Sequence, residues 1–194
     1  MSLLPVNISS YDSFRTDVLL RASQSLGYDV DGAYGYQCWD LSAELWMNAP
    51  EFQNQGLYPK TGTNGYASEC WTESKTINAG SSFLLINNIN EIKRGDCIVL
   101  GSSAISQTGH IAFADEDYNG TTSMILLGQN QVNPNLTTGH IPTLTNLNIS
   151  AFLGAFRFKA WIKPKPEPKR KKSGYKFNIY GAVPRLRKVV NLTS

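Results

Sequence analysis

The 194-residue sequence has few thiols and imidazoles, with three cysteines and two histidines. The cysteine count is odd and no two cysteines have C-x-x-C spacing, which argues against a zinc cluster or a disulfide framework. No apolar run approaches the roughly 20 residues that cross a bilayer. The N-terminal segment lacks a basic stretch followed by a long apolar one, so we expect no secretory signal and synthesis in a cytoplasm.

Charge is distributed unevenly along the chain. Residues 1–156 carry six basic and fourteen acidic side chains, a balance of −8, whereas residues 157–194 carry twelve basic and one acidic, a balance of +11. The proline- and lysine-rich run that starts at residue 163 predicts an extended linker, because alternating prolines cannot pair in a sheet. We therefore predict one domain over 1–162, a linker at 163–173 and a basic tail at 174–194.

The hydrophobic pattern changes its period along the chain. Apolar residues at helical spacing predict helices over about 10–26 and 38–47, and the polar stretch 50–82 predicts a long, partly irregular connection with a short helix near 66–75. Short alternating runs then predict antiparallel strands at 97–101, 110–115, 124–131 and 151–162. Helices followed by strands predict an α+β fold with the N-terminal helices packed on an antiparallel sheet.

Cys38 follows a turn rich in glycine and aspartate, DVDGAYGYQCWDL at 29–41, and begins a predicted helix. A helix N-terminus favours a thiolate because its N–H groups are unpaired, although a cysteine packed under the helix is the alternative. Gln37 immediately before it is able to donate to a developing oxyanion. His110 opens a strand and is favoured over His140, in a loop-like segment, as the base.

A histidine base works best when a third group fixes its tautomer and orientation. The motif GQNQ at 128–131 ends the strand that follows the His110 strand in the sequence. Neighbouring antiparallel strands would bring Asn130 beside the imidazole. The alternative is that Asn130 is a turn residue.

Taken together, DVDGAYGYQCWDLS, KRGDCIVLG…GHIAFAD and GQNQ closely resemble, in order and spacing, the CHAP family of cysteine, histidine-dependent amidohydrolases and peptidases. The resemblance covers about residues 10–162. It implies a papain-like (NlpC/P60-type) domain that cleaves an amide or peptide bond of bacterial peptidoglycan, as many bacteriophage members do. It also implies that Cys38 is the nucleophile, His110 the general base and Asn130 the orienting residue, with Gln37 in the oxyanion hole.

One position departs from the family pattern. Many members carry an acidic residue two positions before the matching asparagine, where this chain has Gly128. Either Asn130 suffices or another acid, Asp115 or Glu116, supports the imidazolium. Without the acidic residue that many members carry at this position, hydrolytic activity would be lower and its pH range shifted.

Three aspartates surround the turn before Cys38. Asp29, Asp31 and Asp40 could direct oxygens inward while glycines let the backbone bend and offer carbonyls, as suits a hard cation. The spacing resembles the calcium loop of some phage members, with backbone carbonyls of Ala33 and Gly35 as the further ligands. This predicts a structural Ca²⁺ that holds the turn; the alternative is an Asp-Gly turn with Asp40 stabilising the helix dipole.

The predicted function is that of a phage peptidoglycan hydrolase, an endolysin or a virion-associated lysin, made in the host cytoplasm and acting at the cell wall. The alternative is a catalytically weak or inactive papain-like structural protein of the virion. The basic tail predicts attachment to anionic wall polymers or to other virion proteins. Nucleic-acid binding is disfavoured because the basic run lacks interleaved aromatic residues and the body is acidic, and no membrane partner is expected.

Overall fold

The computed structural model describes residues 7–48, 59–73, 82–102, 106–132 and 138–162. The chain divides into two compact units, residues 1–163 and 164–194, and every described residue lies in the first unit. The predicted linker and basic tail, 163–173 and 174–194, lie outside the described residues. Within the part that is described, no helix is long and apolar enough to span a bilayer.

The described helices lie in the N-terminal part of the chain. They are α1 (Tyr11–Ser23), α2 (Cys38–Asn48) and the short α3 (Glu69–Thr72). α1 begins with a reciprocal cap, in which the Ser13 N–H donates to Ser10 Oγ at 3.1 Å and the Ser10 N–H donates to Ser13 Oγ at 3.0 Å. Such a cap satisfies N–H groups that have no partner inside the helix. Helices are confirmed in all three regions where the sequence predicts them.

Six strands form one antiparallel sheet in the order β1-β6-β2-β3-β4-β5. The strands are β1 (Phe83–Ile86), β2 (Cys97–Leu100), β3 (His110–Ala114), β4 (Ser123–Gly128), β5 (Thr143–Asn148) and β6 (Phe152–Phe158). The four predicted strands are present, but the strand predicted over 124–131 ends at Gly128. The sequence pattern missed β1 and β5, and β5 is a largely exposed edge strand with few apolar residues.

The two faces of the sheet build different parts of the core because successive strand residues point to opposite sides. On one face, Ile111 and Phe113 of β3 pack in a cluster with Phe14 of α1 and Leu41 of α2. The rings of Phe14 and Phe113 meet edge to face with centroids 4.9 Å apart. Alternate β3 residues, such as Ala112, pack in a second cluster on the other face. The prediction of N-terminal helices packed on an antiparallel sheet is confirmed.

Two 3₁₀ turns complete the described elements, at Ile89–Glu91 and Lys159–Trp161. The second ends the segment predicted as a strand over 151–162, so the strand itself stops at Phe158. There the Trp161 indole packs on Phe14 and Phe158 and donates its N–H to the Ile8 carbonyl at 2.8 Å. This contact fixes the start of α1 against the end of the last strand.

Candidate active site

Cys38 is the first residue of α2 and is half-buried. Burial raises the pKa of its thiol to about 11, although hydrogen bonds from the backbone N–H groups of Ile111, Trp39 and Cys38 itself act in the opposite direction. The nearby Asp40 carboxylate adds to the rise. In the resting protein, burial therefore opposes the thiolate that the N–H groups at the helix N-terminus favour.

His110 is the first residue of β3, opposite Leu100 of β2, and is 2% exposed. Burial lowers the pKa of its imidazole to about 4, and a hydrogen bond with Gln131 opposes that shift. The imidazole Nε2 lies 3.4 Å from Gln131 Oε1. The ring is thus neutral at ordinary pH, as a general base must be.

The backbone of β3 links the two residues that the sequence pairs. The thiol of Cys38 interacts with the N–H of Ile111, the residue that directly follows His110. Among the described contacts no hydrogen bond joins the thiol to the His110 ring. The structure therefore brings Cys38 to the end of the strand on which His110 lies, with both groups in their neutral forms.

Asn130 does not contact His110 in the described hydrogen bonds. Register pairs Phe113 of β3 with Leu127 of β4, and three further steps would put Asn130 opposite His110. The strand stops at Gly128, however, and Asn130 has a φ of +50°, so the chain turns before those steps are made. The Asn130 amide instead donates from Nδ2 to Gln37 Oε1 at 2.9 Å.

Gln37 lies in the loop directly before Cys38. Its Oε1 accepts from Asn130, and its Nε2 donates to the Tyr34 carbonyl at 2.6 Å. Gln37 is therefore at the position predicted for an oxyanion donor, one residue from the thiol. Its role there stays a prediction.

Gln129 holds this loop and was not found by sequence reasoning. The side chain is fully buried; its Oε1 accepts from the Tyr28 N–H at 2.6 Å, and its Nε2 donates to the carbonyls of Tyr28 and Gln37 at 3.0 and 2.9 Å. One amide thus joins both ends of the loop before Cys38 to the end of β4. The neighbouring Asn130 drew attention in the sequence, whereas a glutamine in a polar motif carries no signal of its own.

The two acids proposed as substitutes for the family carboxylate lie at the other end of β3. Asp115 accepts from Arg15 Nε at 2.7 Å and from the Tyr11 hydroxyl at 3.0 Å. Glu116 accepts from the Ile125 N–H at 2.9 Å. Both carboxylates stabilise the fold there, and neither is a described partner of His110.

The acidic loop before α2 brings three predicted metal ligands together. Carboxylate oxygens of Asp29, Asp31 and Asp40 lie within 4.8 Å of one another, with Asp40 buried and the other two exposed. Asp40 accepts from the N–H groups of Val30 and Gln37 at 3.0 and 2.8 Å. Burial raises its pKa to about 7, the charges of Asp31 and Asp29 raise it further, and the hydrogen bonds from those two N–H donors oppose the rise. Three converging carboxylates suit a hard divalent cation.

The other two predicted ligands, Ala33 and Gly35, shape the same loop through their backbones. The Ala33 N–H donates to Asp31 Oδ1 at 2.8 Å, and the Gly35 carbonyl accepts from the Gln37 N–H at 2.8 Å. Gly35 has a φ of +67°, and a side chain there would collide with the Thr138 carbonyl. Gly35 is therefore required by the close approach of the two backbones.

The fold and the site define an α+β domain in which a helix-borne cysteine meets the strand that begins with a buried histidine. No protein-family model matches the chain. The chain is 29% identical over 112 residues, 56% of its length, to the D-alanyl-L-alanine endopeptidase of Streptococcus phage B30, and the match covers 23% of that protein. The endolysin LysIME-EF1 has a similar fold, with a TM-score of 0.56 and 25% identity over 74% of this chain and 63% of the endolysin chain. The chain thus spans about a quarter of the phage B30 protein and less than two thirds of the endolysin.

Proposed function

We propose that this protein is a phage peptidoglycan hydrolase of the CHAP type, with a papain-like domain, that cleaves an amide or peptide bond through Cys38 and His110. The observation that carries the proposal is the contact between the Cys38 thiol and the backbone of the residue that follows His110. Few cysteines and histidines are available, so this pairing of helix start and strand start is specific. The similarities to a phage endopeptidase and an endolysin support the same class of reaction.

In the proposed reaction the sulfur of Cys38 attacks the carbonyl carbon while His110 accepts the thiol proton. Because the pKa of the thiol is raised and that of the imidazole lowered, the proton moves during the attack and no ion pair is present beforehand. Gln37 and backbone N–H groups at the start of α2 stabilise the oxyanion. His110 then protonates the leaving amine, and water, activated by the same imidazole, hydrolyses the thioester.

The bond to be tested first follows from the name of the phage B30 relative. A D-alanyl-L-alanine endopeptidase cuts a peptide bond, which favours a peptide cross-link over the amide that joins sugar to peptide. Walls whose cross-links contain that bond should release new amino termini. A cut at the sugar–peptide amide also frees an amino terminus, but it separates the peptide from the sugar, whereas a cut in the cross-link leaves the stem peptide attached to the sugar. Mass spectrometry of the released fragments therefore distinguishes the alternatives.

We also propose that the acidic loop binds Ca²⁺ through Asp29, Asp31 and Asp40, with the carbonyls of Ala33 and Gly35. The carboxylates lie close enough to share one cation, which would offset their mutual repulsion. The ion would act on structure, because Asp40 is hydrogen-bonded to the N–H of Gln37, the residue before the nucleophile.

The proposed place of action is the bacterial cell wall, after synthesis in the host cytoplasm. The enzyme acts either as an endolysin from inside or as part of the virion tail from outside. The basic segment after residue 163 attaches it to anionic wall polymers or to other virion proteins. Deletion of 163–194 should weaken sedimentation with walls or virions in a salt-dependent way while hydrolysis of small soluble fragments continues.

A second candidate function is a catalytically weak or inactive structural protein of the virion. The raised pKa of the Cys38 thiol, and the lack of a described hydrogen bond between Cys38 and His110, favour it. A wall-clearing assay distinguishes the hydrolase from the structural protein. Purified protein should clear a turbid suspension of susceptible walls, and Cys38→Ala should abolish the clearing.

The two histidines provide a matched pair of variants. His110→Gln should lose activity, whereas His140→Gln should retain it, because the described side-chain bond of His140 is to the adjacent Ile141 carbonyl at 3.0 Å. Clearing that survives Cys38→Ala, or that is lost equally in both histidine variants, would contradict the proposed mechanism. A wild-type protein that clears no susceptible wall supports the structural alternative.

A further inference from the structure

The orientation of the Gln131 amide is fixed by its neighbours. Its Nε2 lies 3.0 Å from the Leu126 carbonyl, 2.6 Å from the Thr143 carbonyl and 3.2 Å from Thr143 Oγ1. Backbone carbonyls only accept, so the NH₂ end of the amide must face them. The other end, Oε1, then faces His110 Nε2 at 3.4 Å.

This orientation determines the tautomer of His110. An amide oxygen is an acceptor only, so the hydrogen between the two groups must lie on His110 Nε2. The neutral ring then has its free lone pair on Nδ1. Both side chains are almost completely buried, with exposures of 2% for His110 and 3% for Gln131, so bulk water does not compete for this contact.

Gly128 makes room for the Gln131 carboxamide. A Cβ at position 128 would lie 2.7 Å from Gln131 Oε1 and 2.8 Å from the Ala112 Cβ, both shorter than real Cβ contacts. The glycine at 128 and the glutamine at 131 therefore belong together. The space next to the imidazole is filled by a side chain that reaches back from beyond the end of β4.

We propose that Gln131 is the residue that positions His110. Its amide oxygen holds the imidazole ring and keeps the hydrogen on Nε2, so that Nδ1 takes the proton of the nucleophile. This assigns to Gln131 the role that the sequence suggests for Asn130, whose amide is bonded to Gln37. The inference rests on the proposed function for its catalytic meaning, but the hydrogen bond and tautomer are testable without activity. A neutral amide stabilises an imidazolium less than a carboxylate does, which suits a base that stays neutral at rest.

The first test measures the tautomer directly by ¹⁵N NMR of histidine-labelled protein at pH 7, with His140→Gln to assign the signals. Wild-type His110 should show a protonated Nε2 and an unprotonated Nδ1. The opposite tautomer in the wild type would overturn the proposal whatever any variant does. The expected tautomer in a protein without hydrolytic activity would support the hydrogen bond and overturn the proposed function, so the two failures are distinct.

The second test uses Gln131→Met, which keeps the shape of the side chain and removes both its acceptor and its Nε2 contacts to Leu126 and Thr143. It is compared with Asn130→Gly, which removes the Asn130 side chain and tolerates its positive φ. Gln131→Met should yield a mixture of both His110 tautomers and lower kcat about fivefold or more with KM little changed, because the hydrogen bond to His110 is lost. Asn130→Gly should leave the His110 tautomer as in the wild type. A change of tautomer in Asn130→Gly and none in Gln131→Met would assign the role to Asn130 and overturn the inference.

Discussion

Replacement of Gln129 by methionine should release the loop that precedes the nucleophile. The wild-type side chain is fully buried and makes three hydrogen bonds, two to Tyr28 and one to Gln37. Methionine has nearly the same length but leaves three backbone groups without these partners. At about 1 kcal/mol for each net hydrogen bond, the loss is about 3 kcal/mol in the free energy of unfolding.

Urea unfolding followed by tryptophan fluorescence measures this loss, and wall clearing measures its effect on the site. The same substitution at Gln24, an exposed residue at the C-terminus of α1, is the matched control and should change stability by less than about 0.5 kcal/mol. Gln129→Met should also lower kcat, because the loop ends at Cys38. A Gln129→Met protein within about 1 kcal/mol of the wild type would refute the conclusion that one amide holds the loop.

Three further predictions concern the base, the metal and the turn. Burial lowers the pKa of His110 from 6.5 to about 4, so between these values the unfolded chain binds a proton that the folded chain does not, and stability falls as the pH falls. Relative to His110→Gln, the wild type should lose about 2 kcal/mol between pH 7 and pH 5 in urea titrations, and parallel pH profiles would contradict this. Added Ca²⁺ should raise the Tm, because a hundredfold excess over Kd adds about 2.7 kcal/mol to the free energy of unfolding. Asp31→Asn should reduce this shift, and an unchanged Tm of the wild type would contradict the calcium site. Gly35→Ala should destabilise the protein more than Gly32→Ala. Both glycines have a positive φ, but a Cβ at Gly32 meets nothing within 4 Å, whereas a Cβ at Gly35 meets the Thr138 carbonyl. Equal melting temperatures of the two variants would show that this close approach is unimportant.

Local features of the fold were predictable from the sequence. The helical spacing of Phe14 and Val18 predicts a helix whose buried face contains them, and the structure has both residues in the core. The apolar runs of β2, β3, β4 and β6 likewise predict strands. β5 escaped prediction because an edge strand needs few apolar residues, and its pairing with β4 supplies what its own pattern lacks.

The sequence predicted which residues belong near the site more successfully than it predicted their contacts. Cys38 does begin a helix, and His110 does begin a strand. The three aspartates of the acidic loop do lie together, because they are close in the sequence and the intervening glycines let the chain turn. The ionisation of Cys38 was not predictable, since it depends on burial by distant parts of the chain.

The sequence by itself determined the periods, the caps and turns, and the placement of a thiol after an acidic loop. These depend on interactions within a few residues. Only the tertiary structure decided that Gln131 faces His110, that Asn130 faces Gln37, and that Gln129 fastens the loop. The reason is the point at which β4 leaves the sheet. Its hydrogen-bonded ladder ends at Gly128 and Asn130 has a positive φ, so the side chains of residues 129–131 turn away from the positions that a continued strand would give them. That end point is set by packing between segments far apart in the chain.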